Sequence, residues 1–221
     1  MKPIILFLYC CFFTFNPCQA QEKKETKEQN KTQTEKSEPM KQPFDLLNLT
    51  FNEDILTILT SAGLQLKDNE ETDALTLLGY KKFESTSSKL LTFNGKDLSG
   101  TNKKERNNII LYYAEEDNLE DAKENSLGMY QVNLFTSNKA DILFNNIENK
   151  FGNPKTYELG NIKTFLWVKN DLCFYYFTKD PNENSQDFYR VLFVFNKNNK
   201  QWVNFIGALG FSLNLSDALK E

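Results

Sequence analysis

Histidine is absent from all 221 residues, and with it goes the side chain that most often moves protons near neutral pH. Ser-His-Asp and Cys-His nucleophile systems therefore lack their base, and hydrolytic zinc sites lose their usual ligand. No G-x-G-x-x-G, Walker or G-x-S-x-G sequence occurs, so no cofactor is expected. The chemistry left open is that of carboxylate pairs, a Ser-Lys dyad or tyrosine. Two acids facing each other across a sugar would suit a glycoside hydrolase. The acids here gather in loops, and no pair stands at the end of an apolar strand. The chain reads as a non-enzyme, with a carboxylate-dependent hydrolase as the remaining catalytic alternative.

Four other features were candidates for function. Cys173 lies in the apolar run LCFYYFT with no adjacent cation to activate it, which predicts a buried, inert thiol. Asp180-Pro181-Asn182-Glu183-Asn184 has the alternating oxygens that open a calcium loop. Ser185 and Val191 stand where such a loop needs Gly and a bidentate Glu, so a polar hairpin loop is expected and no metal site. Glu115 to Asn125 holds six carboxylates against Lys123. Glu115, Glu116, Asp117, Glu120 and Asp121 are the candidate contacts for a basic partner, against the plainer reading of a solvated loop. Phe165, Trp167, Phe174, Tyr175, Tyr176 and Phe177 crowd one hairpin and read first as core. Left uncovered, they would form an adhesive patch.

The elements that position these residues follow from periodicity. Thr50 and Glu53 have capping-box spacing, and Ile55, Ile58, Leu59 and Ala62 follow at helical intervals up to Gly63. A second helix opens near Asn138, carries Ala140, Leu143, Phe144, Ile147 and Phe151 on one stripe, and closes at Gly152 and Pro154. Strands are predicted over 89–93, 108–114, 129–135, 164–168, 172–178, 189–195 and 201–206, with Asn94-Gly95 as a type I′ hairpin turn. The expected fold is α+β: an antiparallel sheet of about six to eight strands carrying two amphipathic helices. Each half reads as a helix followed by strands, the pattern a duplicated unit would leave.

The N-terminus sets the compartment. Lys2, the apolar run Ile4 to Phe15, the break at Asn16-Pro17 and the small residues Cys18 and Ala20 have the order of a secretory signal cleaved after Ala20. A lipoprotein anchored at Cys18 is the alternative. The apolar run is short of the roughly 20 residues of a membrane span, so no transmembrane helix is expected in the mature chain. Residues 21–43, with six lysines, five glutamates and no aromatic, form a charged linker that cannot bury enough surface to order itself. Residues 44–221 then form a single domain. It holds fifteen phenylalanines, enough for a core without disulfides.

That domain carries nineteen basic residues against twenty-five acids, a formal charge of −6, and only Arg106 and Arg190 as guanidinium groups. Such a balance argues against nucleic acid. The expectation is an exported binding protein, periplasmic or extracellular, of inhibitor, immunity or envelope-accessory type, acting on a protein partner. A small-molecule or lipid carrier with a pocket between helix and sheet is the alternative.

Overall fold

The computed structural model describes residues 43–71, 75–103, 105–116, 122–181, 183, 188–211 and 213–220, all within the unit Ser37–Glu221. The leader, nearly all of the linker, and Asp117, Glu120 and Asp121 of the acidic stretch lie outside the described residues. Among the described residues eleven strands occur: β1 Tyr80–Ser85, β2 Thr92–Phe93, β3 Lys96–Asp97, β4 Thr101–Asn102, β5 Glu105–Arg106, β6 Asn108–Ala114, β7 Leu127–Leu134, β8 Lys155–Leu159, β9 Ile162–Lys169, β10 Leu172–Lys179 and β11 Tyr189–Asn196. The helices are α1 Ile55–Ser61, α2 Ser137–Phe151, α3 Lys200–Ala208 and α4 Leu215–Ala218. None of the described helices is long and apolar enough to cross a membrane.

Seven strands make one sheet in the order β1-β6-β7-β11-β10-β9-β8, antiparallel throughout. This is the α+β architecture that the spacing of turns predicts. The sheet consists of two meanders, β1-β6-β7 and β8-β9-β10-β11, that meet at the β7–β11 pair. Each meander follows a helix in the chain, α1 for the first and α2 for the second. The small pairs β2–β3 and β4–β5 lie outside this sheet.

Both predicted helices pack on one face. Ile55, Ile58 and Leu59 of α1 and Ala140, Leu143 and Ile147 of α2 share a core with Phe83, Leu111, Val132, Trp167, Phe174 and Leu192 of the sheet. The opposite face is covered as well. Trp202, Phe205 and Ile206 of α3 and Leu215 of α4 bury Tyr80, Tyr112, Met129, Cys173, Tyr175 and Phe193. The aromatics of β10 are therefore core on both faces.

Three local expectations are corrected. Residues 201–206 are helical: Asn199 caps α3 by accepting from Gln201 N–H at 3.0 Å, and Trp202, Phe205 and Ile206 fall at i, i+3 and i+4. That spacing buries one helical stripe, so the period is 3.6 and not 2. Only Thr92 and Phe93 of the 89–93 run are strand, although Leu90 and Leu91 are fully buried. The cap of α1 is Asp54, whose Oδ1 accepts from Leu56 N–H at 2.7 Å and Thr57 N–H at 3.2 Å. Glu53 instead accepts from the Thr50 N–H and hydroxyl, each at 2.9 Å, one turn before the helix. The Asn94-Gly95 turn forms as predicted, with φ of 49° and 70°. Asp45 ties it down by accepting from both N–H groups, at 2.8 and 2.6 Å.

Candidate functional site

One end of the sheet opens into a groove of about 880 Å³. Phe135 follows β7, Phe177 lies near the end of β10, Phe188 precedes β11, and Tyr189 begins it. The remaining wall is Phe211, which reaches the groove because of the way α3 ends. Gly210 adopts φ of 88°, Gly210 N–H bonds Gly207 C=O at 2.9 Å, and Phe211 N–H bonds Ile206 C=O at 3.1 Å. This is a Schellman ending, which needs the left-handed conformation that glycine adopts without strain.

The rings form a continuous aromatic wall. Tyr189 and Phe211 stack at 5.6 Å, Phe177 meets Phe211 edge-on at 4.9 Å, and Phe135 sits 5.8 Å from Tyr189. The Arg190 guanidinium lies 4.2 Å over the Phe188 ring, and Arg190 also pairs with Asp180. Lys103, Glu105 and Lys179 line the same groove. Its walls are thus apolar and its charges few, the composition of a recognition site.

Beneath Tyr189 a polar seam runs across four strands on the α3 face. Tyr189 OH donates to Asn133 Oδ1 at 3.4 Å, and Gln131 Nε2 donates to the same oxygen at 2.7 Å. Tyr112 OH donates to Gln131 Oε1 at 3.0 Å, Asn133 Nδ2 to Asn108 Oδ1 at 2.6 Å, and Asn108 Nδ2 to Glu84 Oε1 at 3.1 Å. Gln131 and Asn133 are both buried, and among the described residues no buried side-chain polar atom lacks a partner. A fully bonded buried network holds one arrangement, because each broken bond would strand a desolvated group. The strands behind Tyr189 are therefore held in one arrangement. Burial, with the charges of Glu105 and Glu84 adding to it, pushes the Tyr189 phenol up to about 12. It stays protonated at neutral pH and acts as a hydrogen-bond donor, not as a base.

Two further concavities differ in character. The one under α2, about 390 Å³, is lined by Asp141, Lys163, Asp180 and Arg190 as well as Phe144 and Phe165. Its charged lining is more ionic than an apolar ligand needs. The other, about 960 Å³ at the far end of the sheet, is lined by polar groups including Asn52, Asn170, Asn196 and Asn198.

Of the acidic residues singled out from sequence, Glu115 and Glu116 are described and exposed. Glu115 pairs with Lys81 Nζ at 2.9 Å, and that hydrogen bond and charge hold the Lys81 ammonium above its ordinary pKa. The stretch joins β6 to the start of β7, whereas Phe135 follows the end of β7. Glu115 and Glu116, just after β6, thus lie at the end of the sheet opposite the groove. Asp180 of the calcium-like stretch is held by Arg190 and by Asn161, whose Nδ2 donates to Asp180 C=O at 2.6 Å. Asn182, Asn184 and Ser185 lie outside the described residues. Among those described, no three or more Cys, Asp or Glu residues gather where a metal ion would sit. Cys173 is fully buried on β10, and burial pushes its thiol well above the ordinary range.

The groove was not anticipated as a site. Its aromatic residues come from four separate places in the chain, and only two carry a local signal. Phe188 and Phe211 are large aromatics in short polar stretches, QDFYR and GFSLN, where no strand or helix periodicity claims them. Compared with known protein families, with curated proteins and with solved structures, the chain gives no match.

Proposed function

We propose that this chain is an exported, non-enzymatic binding protein that holds a protein partner by an apolar side chain seated in the aromatic groove. The observation that carries the reading is the groove itself: aromatic walls, with Tyr189 anchored to a buried hydrogen-bonded network behind it, and no activated nucleophile or base among its described residues. Large rigid aromatics in a desolvated pocket are where interface energy concentrates. Export rests on the leader up to Ala20. The acidic residues Glu115, Glu116, Asp117, Glu120 and Asp121 serve the same partner differently, by steering its approach through long-range attraction.

A photo-crosslinking residue at Phe188, in the groove, and another at Leu56, exposed on α1, test this directly. One protein trapped from the native envelope and secreted fractions at position 188 and not at 56 supports the reading. Equal trapping at both positions, or none at 188, rejects it. The carrier reading is favoured by volume alone, since about 880 Å³ lies within the roughly 300–1,000 Å³ of small-molecule sites. Native mass spectrometry of the purified protein separates the two: a co-purifying small molecule released by Phe211→Ala would establish the carrier.

A further inference from the structure

The two edges of the sheet are finished differently, and β8 is the one left bare. All five of its residues are exposed, including Tyr157 at 41 % and Leu159 at 58 %. Its only strand partner among the described residues is β9, to which it is joined by a two-residue turn at Gly160 and Asn161. Gly160 has φ of 61°, the positive value that the first position of a tight II′-type hairpin requires.

That turn fixes which backbone groups point outward. The closing pair Leu159–Ile162 of a two-residue hairpin exchanges hydrogen bonds, and such pairs alternate along an antiparallel ladder. Tyr157–Thr164 and Lys155–Leu166 are then the bonded pairs, and the N–H and C=O of Thr156 and Glu158 face away from the sheet. Among the described residues no backbone group pairs with them. A sheet edge in this state is a template for one more strand.

We infer that the added strand is β8 of a second copy of this chain, antiparallel about a two-fold axis, with Tyr157 opposite its own counterpart. The register follows from elimination. A one-residue slip is excluded, because paired residues must face the same side of the sheet. A shift of the axis to Glu158 sets two carboxylates directly opposite. A shift to Thr156 asks Pro154 to donate an N–H that it does not have. With the axis at Tyr157, Thr156 bonds to Glu158 of the other copy on both sides, and no like charges face each other. The Tyr157 rings then meet at a non-hydrogen-bonded position, where side chains approach most closely. Leu159 falls opposite Lys155, whose aliphatic stem covers it.

The test uses sedimentation equilibrium of the purified protein over a wide concentration range. The wild type should show a reversible monomer–dimer equilibrium. Thr156→Pro removes an outward N–H from each copy without touching the β9 ladder, so it should weaken the dimer about tenfold or more while leaving the fold intact. Tyr157→Cys should give a disulfide-linked dimer under mild oxidation, whereas Thr156→Cys, off the axis, should not. A wild type that stays monomeric, a dimer that survives Thr156→Pro, or a Tyr157→Cys chain that fails to crosslink would each overturn the inference.

Discussion

The edges at β1 and β8 belong to one sheet, yet they are held by different means. Along β1 the residues just after Leu66 act as a clasp. Asn69 donates to Lys82 C=O at 3.2 Å and accepts from Glu84 N–H at 2.8 Å, while Glu70 N–H bonds Glu84 C=O at 2.9 Å. The Glu70 carboxylate then accepts from Thr86 N–H and hydroxyl, both at 3.0 Å. Behind the clasp, Tyr80 meets Trp202 edge-on at 4.6 Å. On β8 the ladder to β9 and the surface pair Glu158–Lys163 at 3.1 Å are the main ties. One edge is closed by side chains that substitute for a strand, and the other keeps its backbone available.

The contrast can be broken most severely at Trp202. It is buried against Tyr80, Tyr112 and Phe205, so Trp202→Ala should cost about 3–5 kcal/mol in urea denaturation. A cost below about 1 kcal/mol would mean that the rings do not anchor the closed edge. Next comes Asn69→Ala, which removes two hydrogen bonds at the β1 edge, leaves their backbone groups to water and should cost about 0.5–1.5 kcal/mol. Hydrogen exchange at Glu84 should report the same loss locally.

Acid should loosen the clasp more gently. Burial by itself would raise the Glu70 carboxyl, but the hydrogen bonds from Thr86 and Ser85 and the charge of Arg106 hold it below its ordinary value of 4.5. A lowered folded pKa means that the stabilisation is complete above the ordinary carboxylate range and is lost as pH falls through the lowered value. The Thr86 amide should therefore lose protection in acid before the amides of β9 do, and Glu70→Gln should remove that difference. The smallest effect belongs to the open edge, where Tyr157→Ser should change monomer stability by no more than about 0.5 kcal/mol. A larger loss at Tyr157 would show that β8 already has a partner.

The same contrast explains what could be read from the sequence. The central strands β6, β7, β10 and β11 are buried on both faces, so their apolar runs announce them. The edge strands YKKFES and KTYEL went unpredicted: Lys81, Lys82 and Glu84 interrupt the apolar pattern of the first although Tyr80 and Phe83 are buried, and the second exposes all five of its residues. Helix α2 was found because its five-residue stripe and Gly152 agree. Helix α3 was missed because nine residues rich in aromatic and β-branched side chains satisfy strand propensity as readily as helix period. The groove stayed hidden for a related reason: Phe135, Phe177, Tyr189 and Phe211 become neighbours only through the order in which the strands assemble.

Cys173 gives the molecule a clock. It is the second residue of β10, opposite Val168 on one side and Phe195 on the other, and it is the one cysteine in residues 44–221. A thiol reagent can reach it only when α3 and α4 lift from the sheet or the strands part. Its rate of labelling therefore times the opening of that layer, without an engineered probe. In an oxidising compartment the same enclosure keeps a solitary thiol from pairing with another chain for as long as the fold endures.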